Sequence, residues 1–274
     1  MPELPEVETI TNALKHNILG KKFTRIEIFA PKLRYELTLH KEPNLLNTKI
    51  INVSRRARYT IIEFENLHAL IFHYGMTGSV RICSTTEPRL KHEHVYFHLN
   101  DRETLRFEDT RRFGYILHGK LSHKGATPDC LNHLGPEPLT DAFNPNYLLS
   151  ILKKKKTNIK TAIMDNLIVV GVGNIYANES LFKSGISPQK RACDLTKKER
   201  TLFVANIKST LKEAIKAGGT TIADFKGVDG QEGKFALQLN VYGRQGENCV
   251  TCQSKIEKIT QGGRATFFCP KCQK

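Results

Sequence analysis

The chain reads as an α+β protein in which strands come first and helices second. Three observations predict this. Short β-branched and aromatic runs separated by turn residues fill the stretch from about Lys22 to His118. Helical spacing with capping signals takes over after a Gly- and Pro-containing break at 132–138. Four cysteines in two Cys-x2-Cys pairs close the sequence.

The elements follow in order. Val7, Ile10, Leu14 and Ile18 recur at helical spacing, Gly20 is a natural stop, and Glu6 and Glu8 sit where the helix dipole favours negative charge. Strands are expected at 23–30, 50–53, 59–64, 69–73, 79–83, 94–99, 104–107 and 114–118, which together make an antiparallel sandwich or barrel. Asn144-Pro145 starts a helix expected to carry Tyr147, Leu148, Ile151 and Leu152 inward. Further helices are expected at 159–164, at 175–184 with Gly185 as the stop, and from the Thr196/Glu199 capping box to Gly218-Gly219. The Gly- and Asp-rich stretch 220–233 reads as a long loop.

A chain of 274 residues has room for two ordinary domains. Its longest apolar stretch, 167–172, is far short of the ~20 residues a membrane helix needs. The start has neither the basic flank nor the apolar centre of a secretory leader, so a cytoplasmic location and reduced thiols at Cys83, Cys130 and Cys193 are expected. Lys and Arg number 42 against 27 Asp and Glu, and residues 134–274 hold +10 of the net +15. Such an excess implies a polyanionic partner; charge alone leaves nucleic acid, an anionic membrane and ribosomal association open.

Cys249, Cys252, Cys269 and Cys272 have the Cys-x2-Cys-x16-Cys-x2-Cys spacing that surrounds one tetrahedral Zn²⁺. Two strands with a Gln261-Gly262-Gly263 turn between the pairs make a zinc ribbon, and a segment this small depends on the metal for stability. Two disulfides or a redox pair are the other reading, against which the missing leader counts. Lys255, Lys258, Arg264, Lys271 and Lys274 make the hairpin basic, with Arg264 at its tip, and suit it to nucleic acid.

Other segments carry a bland and a chemical reading side by side. Lys153 to Lys156 with Lys160 is a solvated helix end or a phosphate-binding run. Gly171 and Gly173 before a helix make a packing turn or expose amides to phosphate. Met76 between glycines and Phe113 beside Arg111 and Arg112 are core residues or wedges for a base stack. His92 and His94 alternate along a strand and so face opposite ways, which argues against a second metal site. At the start, removal of Met1 would leave Pro2 as a secondary amine, partly unprotonated at neutral pH and able to attack an aldehydic carbon. Glu3 and Glu6 beside it can move protons; local rules alone read the same residues as an ordinary helix start.

Taken together, the start Pro2-Glu3-Leu4-Pro5-Glu6-Val7, Gly75-Met76, Arg111-Arg112-Phe113-Gly114, His133-Leu134-Gly135-Pro136-Glu137-Pro138, Gly173-Asn174-Ile175-Tyr176 and the four-cysteine ending resemble the bacterial formamidopyrimidine-DNA glycosylases from end to end. The resemblance implies an N-terminal β-sandwich that includes the first helix, a helical domain with a helix–two-turns–helix motif, and a zinc ribbon, with bounds of 1–132, 139–240 and 241–274 around a 133–138 linker. It implies a monomeric bacterial enzyme of base excision repair, without membrane association, that acts on double-stranded DNA in the cleft between the domains and is nucleoid-associated through that DNA. It would remove 8-oxoguanine opposite cytosine and formamidopyrimidines, then cut the strand by β- and δ-elimination.

By position the resemblance makes Pro2 the nucleophile at C1′, Glu3 the proton-handling group and Glu6 a support for the lesion site. Met76 would fill the hole left by the everted base, Arg111 would face the orphaned cytosine and Phe113 would wedge beside it. Lys160, Asn174 and Arg264 match phosphate grips, with Arg264 also a proton donor in δ-elimination, while His92 and Lys155 match further DNA contacts. The 220–233 loop matches a segment that closes over the everted base. Arg58 stands where the family usually has the Lys assigned to donate a proton in β-elimination; arginine keeps the phosphate grip but releases a proton poorly. Thr110 replaces a usual Pro and Tyr74 a usual Leu. Two other readings compete: an endonuclease VIII-like enzyme for oxidised pyrimidines, and a non-catalytic module that binds damaged DNA.

Overall fold

The computed structural model describes residues 2–219 and 239–274; the expected loop at 220–233 lies outside the described residues. The chain divides into two compact units, one built on residues 2–132 and the other on 133–217 and 239–274.

The first unit opens with α1 (Leu4–Ile18), which starts earlier than its apolar spacing indicates because Pro5 fits the first turn and Glu3 and Glu6 form a reciprocal capping box. Val7, Ile10, Leu14 and Ile18 are all buried on one face, as the spacing predicts, and the helix packs on β2 and β3 (Ile50–Arg56 and Tyr59–Phe64). Truncating one of these side chains, Leu14→Ala for instance, should cost roughly 2–5 kcal/mol.

Two four-stranded antiparallel sheets complete the unit. One runs β2-β3-β4-β8, with β4 at His68–His73 and β8 at Tyr115–Lys120. The other runs β1-β6-β7-β5, with β1 at Arg25–Ile28, β5 at Gly78–Ser84, β6 at Glu93–His98 and β7 at Glu103–Asp109. Phe72 of the first sheet meets Phe97 and Phe107 of the second at ring-centroid distances of 5.6 and 6.2 Å. The sheets therefore pack face to face as a sandwich, and the alternative of a barrel falls away.

The second unit contains α2 (Pro145–Leu152), α3 (Ile159–Ile163), α4 (Asn174–Ser184) and α5 (Lys197–Lys216). Asn144 caps α2 through bonds from the N–H groups of Asn146 and Tyr147, Gly185 ends α4 in the left-handed conformation, and Thr196 and Glu199 form the expected capping box on α5. Two expectations need correcting. Ile151 points outward, since an eight-residue helix buries a single stripe and Leu148 and Leu152, four apart, fill it. Lys160 is not on a solvated helix end: it is 1% exposed, with its ammonium 3.4 Å from the carbonyl of Ala265. That carbonyl belongs to β10 (Arg264–Phe268), which pairs with β9 (Glu257–Gln261) around the Gly262-Gly263 turn.

Candidate functional site

In the first unit, Pro2, Glu3 and Glu6 are all buried. The Glu3 N–H donates to Glu6 Oε2 at 2.8 Å, so the two carboxyls predicted from the sequence are fixed by the helix start itself. The bland reading of these residues and the chemical one coincide in one geometry: the capping box that begins α1 holds both acids next to Pro2. The helix is tied to the sheet by a buried chain of hydroxyls. Thr11 Oγ1 lies 2.7 Å from Thr60 Oγ1, and the Tyr74 hydroxyl donates to the same Thr60 oxygen at 2.9 Å. Tyr74 thus fills its position with its polar end satisfied, immediately before the Gly75-Met76 turn.

Arg58 sits with Ala57 in the two-residue turn joining β2 and β3, where Ala57 takes a left-handed conformation at φ 53°. The Arg58 side chain is buried. Beside it lies His73, a residue that the sequence reading passed over in favour of Met76. His73 stacks on Tyr115 at 4.8 Å and lies 5.0 Å from Tyr59, while its Nδ1 accepts the Gly75 N–H at 3.1 Å. Burial, then the charges of Arg58 and Arg34, lowers its pKa to about 4, so the ring is neutral at pH 7 with its proton on Nε2. The alternation of the strands carried the signal: Tyr59, His73 and Tyr115 are register partners across β3, β4 and β8.

Met76 and Phe113 are both exposed, which favours the wedge reading of each over the core reading. The Arg111 guanidinium lies over the Phe113 ring at 4.8 Å. The two segments touch through backbone: a Cβ on Gly75, at φ +58°, would lie 2.4 Å from the Gly114 nitrogen and 2.5 Å from the Phe113 carbonyl carbon. No side chain fits there. His92 is half-buried in the turn just before β6.

The second unit gathers Lys155, Lys160, Asn174 and Arg264. Asn174 Nδ2 donates to the Ala265 carbonyl at 3.0 Å, the same oxygen that Lys160 approaches. Arg264 is exposed and shares a surface pocket with Lys155, Thr161 and Gln261. Lys155 is 3.8 Å from Asp165, an exposed pair that leaves the cation available to a phosphate. Glu179, also missed in the sequence, is buried in α4 and accepts the N–H groups of Asn240, Val241 and Tyr242 at 2.9–3.0 Å. The structure thus brings together Pro2, Glu3, Glu6, Arg58, Met76, His92, Arg111 and Phe113 within one unit, and the phosphate-binding candidates within the other.

The four cysteine sulfurs lie within 4.8 Å of one another, with 3.4 Å from Cys252 to Cys269 and 3.9 Å from Cys249 to Cys272. Tetrahedral Zn–S bonds of about 2.3 Å require S···S separations of roughly 3.8 Å, so the site fits one zinc ion. No disulfide links them, the gathering of all four sulfurs at one point favours a single metal over two separate pairs, and no other His, Cys, Asp or Glu cluster suited to a metal occurs among the described residues. Nor is any described helix long and apolar enough to cross a membrane.

Family profiles match along the chain: the formamidopyrimidine-DNA glycosylase N-terminal domain at residues 1–116, the formamidopyrimidine-DNA glycosylase H2TH domain at 134–226, and the zinc finger found in FPG and IleRS at 246–274. The formamidopyrimidine-DNA glycosylase of Rickettsia bellii is 46% identical, with all of both chains covered, and that of Saccharophagus degradans is 44% identical at the same coverage. Among solved structures, a Lactococcus lactis FPG variant bound to Fapy-dG containing DNA superposes with a TM-score of 0.90 at 33% identity over the whole of both chains. A complex of the Lactococcus lactis Fpg with abasic-site DNA gives 0.90 at 33% identity and 99% coverage of each. A MutM complex with carbocyclic 8-oxo-G containing DNA gives 0.90 at 34% identity over the whole of both chains. Matched by three family profiles along its length and by relatives of 44–46% identity over the whole of both chains, the chain belongs to the formamidopyrimidine-DNA glycosylase family.

Proposed function

We propose that this protein is a bifunctional DNA glycosylase and abasic-site lyase that removes oxidised purines, 8-oxoguanine opposite cytosine and formamidopyrimidines, from double-stranded DNA. The observation that carries the reading is the helix start, where the capping box holds Glu3 and Glu6 beside Pro2. It gains support from relatives of that name at 44–46% identity over full length. The Arg111-Arg112-Phe113 triplet favours the purine enzyme over the endonuclease VIII-like alternative, and an intact Pro2 and Glu3 favour catalysis over lesion binding alone.

With Met1 removed, the Pro2 nitrogen attacks C1′ and the bond to the base breaks, the base taking up a proton as it leaves; the Pro2 N–H proton is then lost and the C1′–O4′ bond opens, with Glu3 protonating O4′, to give a C1′ iminium. Glu6 supports the lesion site. The resulting iminium withdraws electrons from the sugar, its C2′ proton is lost, and the 3′- and then the 5′-phosphate depart. Met76 fills the vacated stack, Arg111 faces the orphaned cytosine and Phe113 wedges beside it. Lys155, Lys160, Asn174, Arg264 and His92 hold phosphates, and Arg264 hydrogen-bonds the phosphate that departs in δ-elimination. Arg58 holds a phosphate as a fixed cation. The zinc held by Cys249, Cys252, Cys269 and Cys272 is structural and keeps the hairpin under Arg264 folded. In this reading residues 1–132 are the catalytic domain, 133–138 a linker, 139–240 the helix–two-turns–helix domain and 241–274 the ribbon. The protein works as a monomer in the bacterial cytoplasm, at the nucleoid.

Borohydride trapping on a duplex with one 8-oxoguanine opposite cytosine tests the proposal. Wild type should give a covalent adduct and β,δ-cut ends, and Pro2→Gly should lose the adduct or sharply reduce it. Tight binding by wild type without adduct or cutting overturns it.

A further inference from the structure

The Met76 turn joins β4 to β5 and the Arg111–Phe113 segment joins β7 to β8, each crossing from one sheet to the other, yet one buried carboxylate serves both. Asp109, at the end of β7, is fully buried. Its Oδ1 accepts the Thr77 hydroxyl at 2.5 Å and the Arg111 N–H at 3.2 Å, and its Oδ2 accepts the Gly114 N–H at 2.7 Å. Thr77 closes the triangle, since its oxygen also accepts the Arg111 N–H at 3.1 Å. The backbone of Asp109 reaches a third segment: its N–H donates to the His92 carbonyl at 3.0 Å, and its own carbonyl accepts from His94 Nε2 at 2.9 Å. The contacts at Gly75 and Gly114 are too close for side chains, so the two turns have no room to slide past each other.

We infer that Asp109 and Thr77 are positioning residues that lock the Met76 wedge, the Arg111–Phe113 reader and the His92 turn into one preorganised DNA-probing unit. Neither side chain touches DNA in this scheme. Thr77 follows Met76 directly and Arg111 follows Asp109 by two, so the pair fixes where the two exposed tips stand relative to each other. A carboxylate suits the task because both of its oxygens accept, Oδ1 from Thr77 and Arg111 and Oδ2 from Gly114, whereas an amide would set its NH2 against one of these donors. The proposal rests on the glycosylase reading for its functional consequence. The mechanical coupling stands on the hydrogen bonds alone.

The test compares Thr77→Val, Thr77→Ser and Asp109→Asn with wild type, all as zinc-loaded full-length protein. Amide hydrogen exchange is read by mass spectrometry without DNA over residues 74–78 and 110–114. Thr77→Val should speed exchange in 110–114, across the gap from the mutated turn, by at least about tenfold, and Thr77→Ser should restore wild-type rates. Asp109→Asn should loosen both segments together. The second readout is excision of 8-oxoguanine opposite cytosine against adenine. The wild-type preference should fall at least about fivefold in Thr77→Val and return in Thr77→Ser, with cleavage of a preformed abasic site losing less than the excision. Loosening confined to 74–78 in Thr77→Val, or an unchanged cytosine preference in both Thr77→Val and Asp109→Asn, overturns the inference. If wild type fails to excise 8-oxoguanine at all, the functional reading falls, and the exchange pattern still decides whether the coupling exists.

Discussion

His73 makes acid stability a direct probe of the first unit. Its pKa is lowered from 6.5 to about 4, first by burial and then by Arg58 and Arg34. Above pH 6.5 the imidazole is neutral in the folded and unfolded chain alike, and stability is at its full value. As the pH falls, the unfolded chain takes up the proton first, so stability is lost between about 6.5 and 4 and is constant with respect to this group below that. A shift from 6.5 to about 4 corresponds to roughly 3 kcal/mol at the limit and about 2 kcal/mol by pH 5. Geometry points the same way: protonating Nδ1 would set it against the Gly75 N–H it now accepts. Other groups act in this window, because burial also lowers His68 and His94. Urea unfolding should therefore be measured at pH 7 and pH 5 for wild type and for His73→Gln, and the difference of differences taken. We expect wild type to lose about 2 kcal/mol more than the variant on going to pH 5. An NMR titration midpoint for the His73 ring between 6 and 7 would refute the reasoning.

Three further outcomes are expected. Glu179→Gln removes one acceptor oxygen from a buried carboxylate that takes four N–H groups of residues 240–242 and should destabilise the protein by about 3–5 kcal/mol in urea unfolding. Gly75→Ala combines a positive φ with a 2.4 Å clash and should cost about 2–4 kcal/mol by the same measurement, with loss of 8-oxoguanine excision. Stripping the metal with a chelator should release one zinc per chain, read by a colorimetric dye, and weaken DNA binding at least about tenfold, with recovery on adding Zn²⁺.

Much of the fold was legible because it is written in local pattern. The strands of the sandwich announce themselves by alternation, α5 by its capping box and the ribbon by cysteine spacing. Pro2, Glu3, Glu6, Met76 and Phe113 stood out as candidates because unusual residue types sit at unusual places, but local rules read each as an ordinary helix start or core residue, and only the family resemblance gave them roles. What escaped has a common physical cause. Lys160 is buried against a carbonyl 105 residues away, and the acceptor of a remote backbone group leaves no mark in sequence. The same holds for Asp109 and Glu179, whose partners are largely main-chain N–H groups, and for His73, whose pKa is lowered first by burial among residues of other strands and then by Arg58 and Arg34. Ile151 was misread because helical spacing does not reveal how wide a stripe a two-turn helix buries.

Helix α4 has a wider consequence. Asn174 bonds the Ala265 carbonyl, Asn178 accepts the Phe267 N–H at 2.7 Å, Glu179 gathers the N–H groups of 240–242, and Ser184 accepts from Asn206 at 3.0 Å. A greasy core tolerates many substitutions of similar volume, because oil has no direction. A splint of directed polar bonds does not, because each bond admits one geometry and each orphaned partner is buried. Apolar substitutions of similar volume should therefore be tolerated at Leu148 or Ile207, whereas even conservative changes should fail at Asn174, Asn178 and Glu179. An engineer wishing to re-aim the basic hairpin would have to rewrite α4 and its partners together, as a single word rather than letter by letter.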